Sequence, residues 1–346
     1  MSEKLFNFFS SFGIMVLGVF LIFIFTVSFP AVRKSFNKFP QAGPREKIQV
    51  QQAVSRQTNS WPTSLLLAPV AKDSGVCAAT FTLFSSIVID ERTGTILFEK
   101  NSKNIRALAS ITKLMSAMVL LDLPINWSST TTITEADDDS SSHQFKIGEE
   151  YYFSDIWNVA LVGSSNSAVR ALVRNSGISM EQFVARMNEK ANKLNLTSLR
   201  FVEPTGLDSG NVGNATDVAQ LLKEAVRFEK INRTLRMPQY ILVPLNQKNE
   251  SHQVWSTNWL LTKWIPNNFN QEDIVGKTGF INDSRYNFVV RLMDQRRHPI
   301  IVVVLGANSN ESRFSEARDL ARWIFSRYLW PEEEGYGQVS EQQRVD

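Results

Sequence analysis

Cysteine is almost missing from this chain: 346 residues hold one, Cys77. That excludes an internal disulfide framework and any cysteine-built metal knuckle. Histidine is scarce too. His143, His252 and His298 stand far apart with no paired metal-ligand spacing, so no metal and no cofactor is expected. A Ser-His-Asp triad could be assembled from distant positions, but the Gly-x-Ser-x-Gly elbow that would start one is absent. A hydrolase of this composition is expected to use a general base other than histidine. Charge of one sign is also lacking: 37 Lys and Arg against 34 Asp and Glu leave a net +3, too small and too scattered for a nucleic-acid partner. No internal repeat is visible. What remains, 43% apolar and 21% charged residues, is ordinary for a globular protein with room for one large domain or two small ones.

One segment departs from that average. "FGIMVLGVFLIFIFTVSF", residues 12–29, carries no charge over eighteen positions, roughly 27 Å of helix at 1.5 Å per residue, enough to span a hydrocarbon core. The exit "TVSFPAVRKS" offers only a poor small-x-small cleavage site, so residues 1–34 read as an uncleaved membrane anchor. Lys4 stands on one side of the run, and Arg33, Lys34 and Lys38 on the other. Charge counting alone places the second side in the cytoplasm; the chemistry below asks for the reverse, and is given precedence.

Residues 35–80, rich in Pro, Gln, Ser and Lys with one apolar patch, "SLLLAPV", read as a tether. A domain over 81–330 follows. "SSIVIDERTGTILFEKN" (85–101) is two β-rich runs around a Thr-Gly turn. Helical patterns cover 110–121, 153–175 and 180–194; "STNWLL" and "DIVGKTG" lead back into strands. "RYNFVVRLM" and "PIIVVVLGA" are near-continuous apolar runs expected as central antiparallel strands. Residues 313–329 give an amphipathic helix, and 331–346 an acidic, polar, loose tail. Strands at both ends with helices between them predict one mixed α/β domain.

Three short motifs carry chemistry. In "ALASITKLM" (107–115) Ser110 and Lys113 lie one helical turn apart in an otherwise apolar run. Taken alone, Ser110 reads equally as a cap and Lys113 as a snorkelling side chain, and Ser35–Lys38 matches the same pattern. In "LVGSSNSAV" (161–169) Ser164 and Asn166 form a Ser-x-Asn triplet at a break between helical patterns; Ser209–Asn211 and Ser256–Asn258 also fit it. In "VGKTGF" (275–280) Lys277, Thr278 and Gly279 fall before a polar loop and a strong strand, which places them at a sheet edge. The similar "RTG" of residues 92–94 is assigned to a turn.

The order Ser-x-x-Lys, Ser-x-Asn, Lys-Thr-Gly resembles the penicillin-recognising acyl-transferases, and most nearly the serine D-Ala-D-Ala carboxypeptidases. The resemblance runs from about Ser85 to Leu329 and takes in "DERTGTILFEKN", "KIGEEYYFSDIWNVALVGSSNSA", "FVEPTGLD" with "ATDVAQLL", and "VVVLGANSNESRF". It implies a β-lactamase/transpeptidase-like fold: an antiparallel sheet flanked by helices, with an all-helical subdomain. It implies a nucleophile, Ser110, whose proton goes to Lys113. Burial among Ile111, Leu114 and Met115, with Lys277 as a second cation, would keep that amine neutral. Ser164 would relay the proton to the leaving amine, and Asn166 would hold a substrate amide. The backbone N–H groups of Ser110 and Phe280 would face the oxyanion. Gly279 would leave room for substrate along the strand. Lys277, Thr278 and Arg313 would receive the leaving residue's carboxylate. The chain departs from the family pattern at Ser167, where Asp is usual, and at Glu203 and Thr205, where Asn and His are common. "EPTGL" also resembles the glutamate loop of class A β-lactamases, which leaves open a deacylating role for Glu203.

The resulting expectation is a bacterial serine-type D-alanyl-D-alanine carboxypeptidase trimming peptidoglycan stem peptides. It would be inhibited by β-lactams and anchored in the cytoplasmic membrane with its catalytic domain outside. About sixteen residues follow the last expected helix, so attachment falls to the N-terminal run. The alternatives are a D,D-endopeptidase on the same fold, a β-lactamase, and a non-catalytic wall-binding module.

Overall fold

A computed structural model describes residues 67–73, 81–139, 144–247 and 250–345. The anchor over 1–34 and most of the tether lie outside the described residues. Among the described residues no helix is long and apolar enough to cross a membrane.

Strands β1 (Ser85–Asp90) and β2 (Ile96–Lys100) form the expected hairpin. Gly94 at φ +78 and Asp90 Oδ1, which accepts from Thr93 N at 2.7 Å, close the Thr-Gly turn. A helical region follows: α1 (Lys113–Asp122), α2 (Phe153–Val162), α3 (Asn166–Arg174), α4 (Met180–Lys193), α5 (Ala215–Ala225) and α6 (Glu229–Leu235). A small hairpin, β3 (Gln239–Leu242) and β4 (His252–Trp255), leads to three long strands: β5 (Val275–Ile281), β6 (Arg285–Met293) and β7 (Pro299–Ala307). Helix α7 (Ser312–Arg327) then returns along the sheet. The main sheet is antiparallel throughout, in the order β5-β6-β7-β1-β2, so the C-terminal strands complete the N-terminal hairpin as expected.

The apolar runs of β6 and β7 are explained by cover on both faces. Ile301, Val303 and Leu305 of β7 join a core with α1 and α5, while Ile300, Val302 and Val304 join a second core with Phe314, Leu320 and Ile324 of α7. A strand covered on both sides has no solvent face to mark with polar residues. Each such side chain contributes roughly 1.5–3 kcal/mol by leaving water. The sheet is therefore a stiff wall, and its one open edge near the helical region is β5.

Two expectations are corrected. "STNWLL" is a turn, not a strand: Asn258 Oδ1 accepts from Leu260 N and Leu261 N at 3.1 and 3.3 Å, curling the chain as β4 ends. The C-terminal tail is not loose, for residues Tyr336–Val345 form a helix, α8. Its first residue reaches back, with Tyr336 Oη donating to Ala68 O at 2.9 Å. Within the stretch read as tether, Val70 and Ala71 pair with Leu329 and Tyr328. Val70, the last residue of the apolar patch, thus opens a short strand.

Candidate active site

The chain enters the site through Ala107 and Leu108, whose carbonyls accept from Asn287 Nδ2 of β6 at 3.0 and 3.2 Å. Asn287 Oδ1 in turn accepts from Gly306 N at 2.9 Å, so a buried amide bolts this segment to the sheet. Ala109 takes a left-handed turn at φ +50, and Ala109–Thr112 form a 3₁₀ turn that runs directly into α1. Ser110 therefore stands where the helix begins, and Lys113 opens the first α-helical turn. Two glycines make the close approach possible. A Cβ on Gly279 would lie 2.6 Å from Leu108 O and 3.2 Å from Ser110 N. One on Gly206, at φ +89, would lie 2.1 Å from Ala109 O.

Lys113 is 1% exposed. Its Nζ lies 2.8 Å from Ser110 Oγ, and donates to Asn166 Oδ1 at 2.5 Å and Thr205 O at 2.6 Å. Burial lowers its pKa to about 7, against the opposing pull of Glu203 and Asp139. A neutral amine has two N–H bonds and one lone pair. The two acceptors take the N–H bonds, which leaves the lone pair for the Ser110 hydroxyl.

The helical break expected near residue 164 is present. Gly163 ends α2, Ser164 sits at φ +59, and the Ser165 side chain caps α3 by accepting from Ala168 N at 3.3 Å. Held in this bend, Ser164 Oγ accepts from Lys277 Nζ at 2.6 Å. Lys277, also 1% exposed, has its pKa lowered well below the usual value by burial, then by Lys113 and Arg313. As expected, burial is the leading cause that lowers the Lys113 pKa, and repulsion from Lys113 adds to burial in lowering that of Lys277.

Thr278 Oγ1 lies 2.7 Å from Thr257 Oγ1. Arg313 is 6% exposed and donates from Nη1 to Gly279 O at 3.1 Å and from Nη2 to Asn310 Oδ1. Its Nε has no hydrogen-bond partner, and no Asp or Glu pairs with it among the described residues. Burial lowers its pKa to about 10. Phe280 lies on the edge strand opposite Tyr286, with its ring exposed and stacked on Tyr286 at 4.4 Å. Ser110, Lys113 and Asn166 thus form one hydrogen-bonded group and Ser164 and Lys277 a second, while Thr278, Gly279 and Phe280 follow Lys277 along β5 and Arg313 of α7 bonds to Gly279 O.

The competing Ser-x-Asn matches resolve as ordinary structure, and Ser35–Lys38 lies outside the described residues. Ser256–Asn258 is the turn after β4, and Asn211 is buried beneath the Glu203 loop, donating to Glu203 Oε1 at 2.6 Å. Glu203 also accepts from Thr205 N at 2.7 Å, from Thr205 Oγ1 at 2.6 Å and from Gly206 N, which turns its carboxylate onto its own loop. His252 and His298 pair with Glu149 and Asp294, and neither hydrogen-bonds Ser110. Three contributors had not been singled out. Asp139 accepts from Asn166 Nδ2 at 2.5 Å, Thr257 meets Thr278, and Asn287 fixes the entering segment. Only Asn287 left a signal, as an amide inside the apolar run "RYNFVVRLM".

A buried amine on a serine, and a second on another serine from an edge strand, are the parts a serine acyl-transferase site needs. The surrounding architecture is the penicillin-binding and transpeptidase fold. It matches the crystal structure of the Streptomyces K15 DD-transpeptidase with a TM-score of 0.65 at 22% identity, over 72% of this chain and 100% of that one. The family model for D-alanyl-D-alanine carboxypeptidase matches residues 74–309, and the chain belongs to that family. A D-alanyl-D-alanine endopeptidase of Pseudomonas aeruginosa is 32% identical, over 69% of this chain and 76% of its own length. The D-alanyl-D-alanine carboxypeptidase DacF of Bacillus subtilis is 28% identical, over 70% and 62%.

Proposed function

We propose that this protein is a serine-type D-alanyl-D-alanine carboxypeptidase that removes the terminal D-Ala of peptidoglycan stem peptides through an acyl-enzyme on Ser110. The observation that carries the reading is the pair of contacts from Lys113 to Ser110 and from Lys277, on the edge strand β5, to Ser164. Neutral Lys113 takes the Ser110 proton as Oγ attacks the penultimate carbonyl. Backbone N–H groups of Ser110 and Phe280 receive the oxyanion. The C–N bond then breaks as the proton held by Lys113 is relayed through Ser164 to the departing amine, which returns Lys113 to its neutral form. Water attacks the ester with Lys113 again as base, and Ser110 regains its proton. Asn166 holds the acyl-side amide, while Thr278 and Arg313 take the terminal carboxylate.

β-Lactams, which mimic the acyl donor, acylate the same serine on this reading. A fluorescent penicillin is expected to label the protein covalently, with mass mapping placing the adduct on Ser110 and Ser110→Ala abolishing it. Undiminished labelling of the Ala variant overturns the assignment. Release of D-Ala from a bis-acetylated tripeptide ending in D-Ala-D-Ala tests the activity itself.

A D,D-endopeptidase is the second reading, favoured by three relatives of 29–32% identity that carry that name. The β-lactamase reading loses its support because the Glu203 carboxylate is already engaged by its own loop. A non-catalytic wall-binding role needs no base poised on a nucleophile. The uncharged run 12–29 supports a single-pass anchor in a bacterial membrane, with the domain on the extracytoplasmic side where its substrate lies. A topology reporter fused after residue 60 tests this, and signal from the cytoplasm would overturn it.

A further inference from the structure

A groove of about 440 Å³ lies against the catalytic lysine: Thr205, whose carbonyl accepts from Lys113 Nζ at 2.6 Å, is part of its wall. Arg170 and Asp208 line the same groove. The Arg170 guanidinium donates from Nη1 to Asp138 O, and no Asp or Glu pairs with it among the described residues. Asp208 Oδ1 accepts from Gly210 N at 2.7 Å, and no Lys or Arg pairs with it among the described residues. A cation and an anion thus border one groove without neutralising each other. Glu203, the third charged residue of the wall, has its carboxylate engaged by Thr205, Gly206 and Asn211. Apolar surface comes from Pro204 and from Met180 and Leu207, both of which are exposed.

Position ties this groove to the acyl side of the substrate. Arg170 follows Asn166 by four residues in α3, so the two share one face of that helix, a turn apart. Asn166 is the group assigned to the acyl-side amide, whereas the leaving residue goes to Thr278 and Arg313. Arg170 is also close enough to the Lys113 amine to lower its pKa.

We infer that this groove receives the side chain of the residue before the D-Ala pair and selects one that ends in an amino-acid zwitterion, its carboxylate on Arg170 and its ammonium on Asp208. The inference rests on the function proposed above and names the substrate that function prefers. In peptidoglycan stem peptides the residue in question is a diamino acid. Its side chain ends either in a lone amine or in an amine and a carboxylate on one carbon. A lone amine meets Asp208 but gives Arg170 no anion. The zwitterionic end serves both, since a guanidinium can meet a carboxylate with two N–H bonds. The methylenes before it lie on Met180, Pro204 and Leu207 and leave water with them. Both charged groups keep contact with solvent, so each pair supplies a modest factor, and the selection comes from having the two together.

The test measures kcat/KM for D-Ala release from three N-acetylated tripeptides that differ only at the residue before D-Ala-D-Ala. That residue is norleucine, 2-aminopimelic acid with a side-chain carboxylate alone, or diaminopimelic acid with both groups. Assays are run at about pH 8.5, above the Lys113 pKa of about 7, so that the effect of Arg170 on that amine does not enter. Wild type is expected to prefer the diaminopimelic peptide over the norleucine peptide about 10- to 30-fold. Arg170→Gln should lose about tenfold on both carboxylate-bearing peptides and less than about twofold on norleucine. Asp208→Asn should lose about threefold on the diaminopimelic peptide alone. Labelling by fluorescent penicillin at the wild-type rate shows that each variant is folded with its nucleophile in place. Equal losses on all three peptides, or a wild type that hydrolyses them equally, overturn the inference and leave the carboxypeptidase reading standing. A protein that hydrolyses none of the three removes both, whether or not it takes the penicillin.

Discussion

Lys277 Nζ and Ser164 Oγ meet at 2.6 Å, joining residues 113 positions apart across the cleft from sheet to helical region. Each needs the other. The serine hydroxyl gives a buried amine an acceptor, and the amine holds the Ser164 side chain in one orientation. Residues acting as one unit lose function together. Ser164→Ala and Lys277→Ala are each expected to lower the penicillin acylation rate about 10²- to 10⁴-fold, the usual range for a positioned proton donor or acceptor. The double variant should be little worse than the weaker single one. Losses that multiply would show that the two residues work independently.

The pH profile should report Lys113. The lysine acts as a base only when neutral, and burial brings its pKa to about 7. Below that value the reactive fraction falls about tenfold per pH unit; above it the fraction saturates. Stopped-flow acylation of the free enzyme by a penicillin is expected to rise through pH 6–7 and flatten above about 8. A rate that is flat from pH 5 to 9 would remove Lys113 from the role of base. Lys113→Arg, which stays charged throughout, should be inactive across the range.

Arg313 is a buried cation with an unpartnered Nε and no carboxylate of its own among the described residues. Such a group is poised for an anion supplied by substrate. Arg313→Lys keeps the charge but loses the fork, and Arg313→Ala loses both. On a peptide ending in free D-Ala-D-Ala, Arg313→Ala is expected to raise KM about 10- to 100-fold, the strength of one charge-assisted pair. The lysine variant should fall between. On the same peptide amidated at its C-terminus the three proteins should converge. Equal losses on both peptides would mean that Arg313 only braces Gly279 and Asn287.

The strands and helices were readable because their periods are strong. β7 is apolar at every position since both of its faces are covered, and α7 repeats Phe314, Ala317, Leu320, Ala321 and Ile324 toward the sheet. The three motifs were readable because each sits where the backbone changes character: a helix start, a break between helices, a strand edge. "STNWLL" was misread because Asn258 captures backbone N–H groups that a strand would leave to its neighbour. The C-terminal helix was misread because its polar composition hides one anchoring contact, from Tyr336 to Ala68. Asp139 and Thr257 carry no pattern at all. Their roles exist only because folding brings them to Asn166 and Thr278, and spacing along a chain does not encode such meetings.

Glu203 separates a structural role from a catalytic one. Its carboxylate accepts from two backbone N–H groups, one hydroxyl and one amide, all within residues 205–211. This loop also delivers Thr205 O to Lys113 Nζ. A carboxylate so occupied has no lone pair aimed at a deacylating water, so Glu203→Gln should leave the lifetime of the penicilloyl adduct within about threefold. The amide cannot satisfy every donor, and an unmet buried donor costs about 1–3 kcal/mol. At a few degrees per kcal/mol for a domain of this size, Tm should drop by several degrees. Removing the negative charge also removes one of the two interactions that hold the Lys113 pKa up, so the acylation midpoint should move below pH 7. An adduct that instead persists a hundredfold longer, with Tm and midpoint unchanged, would make Glu203 the activator of water.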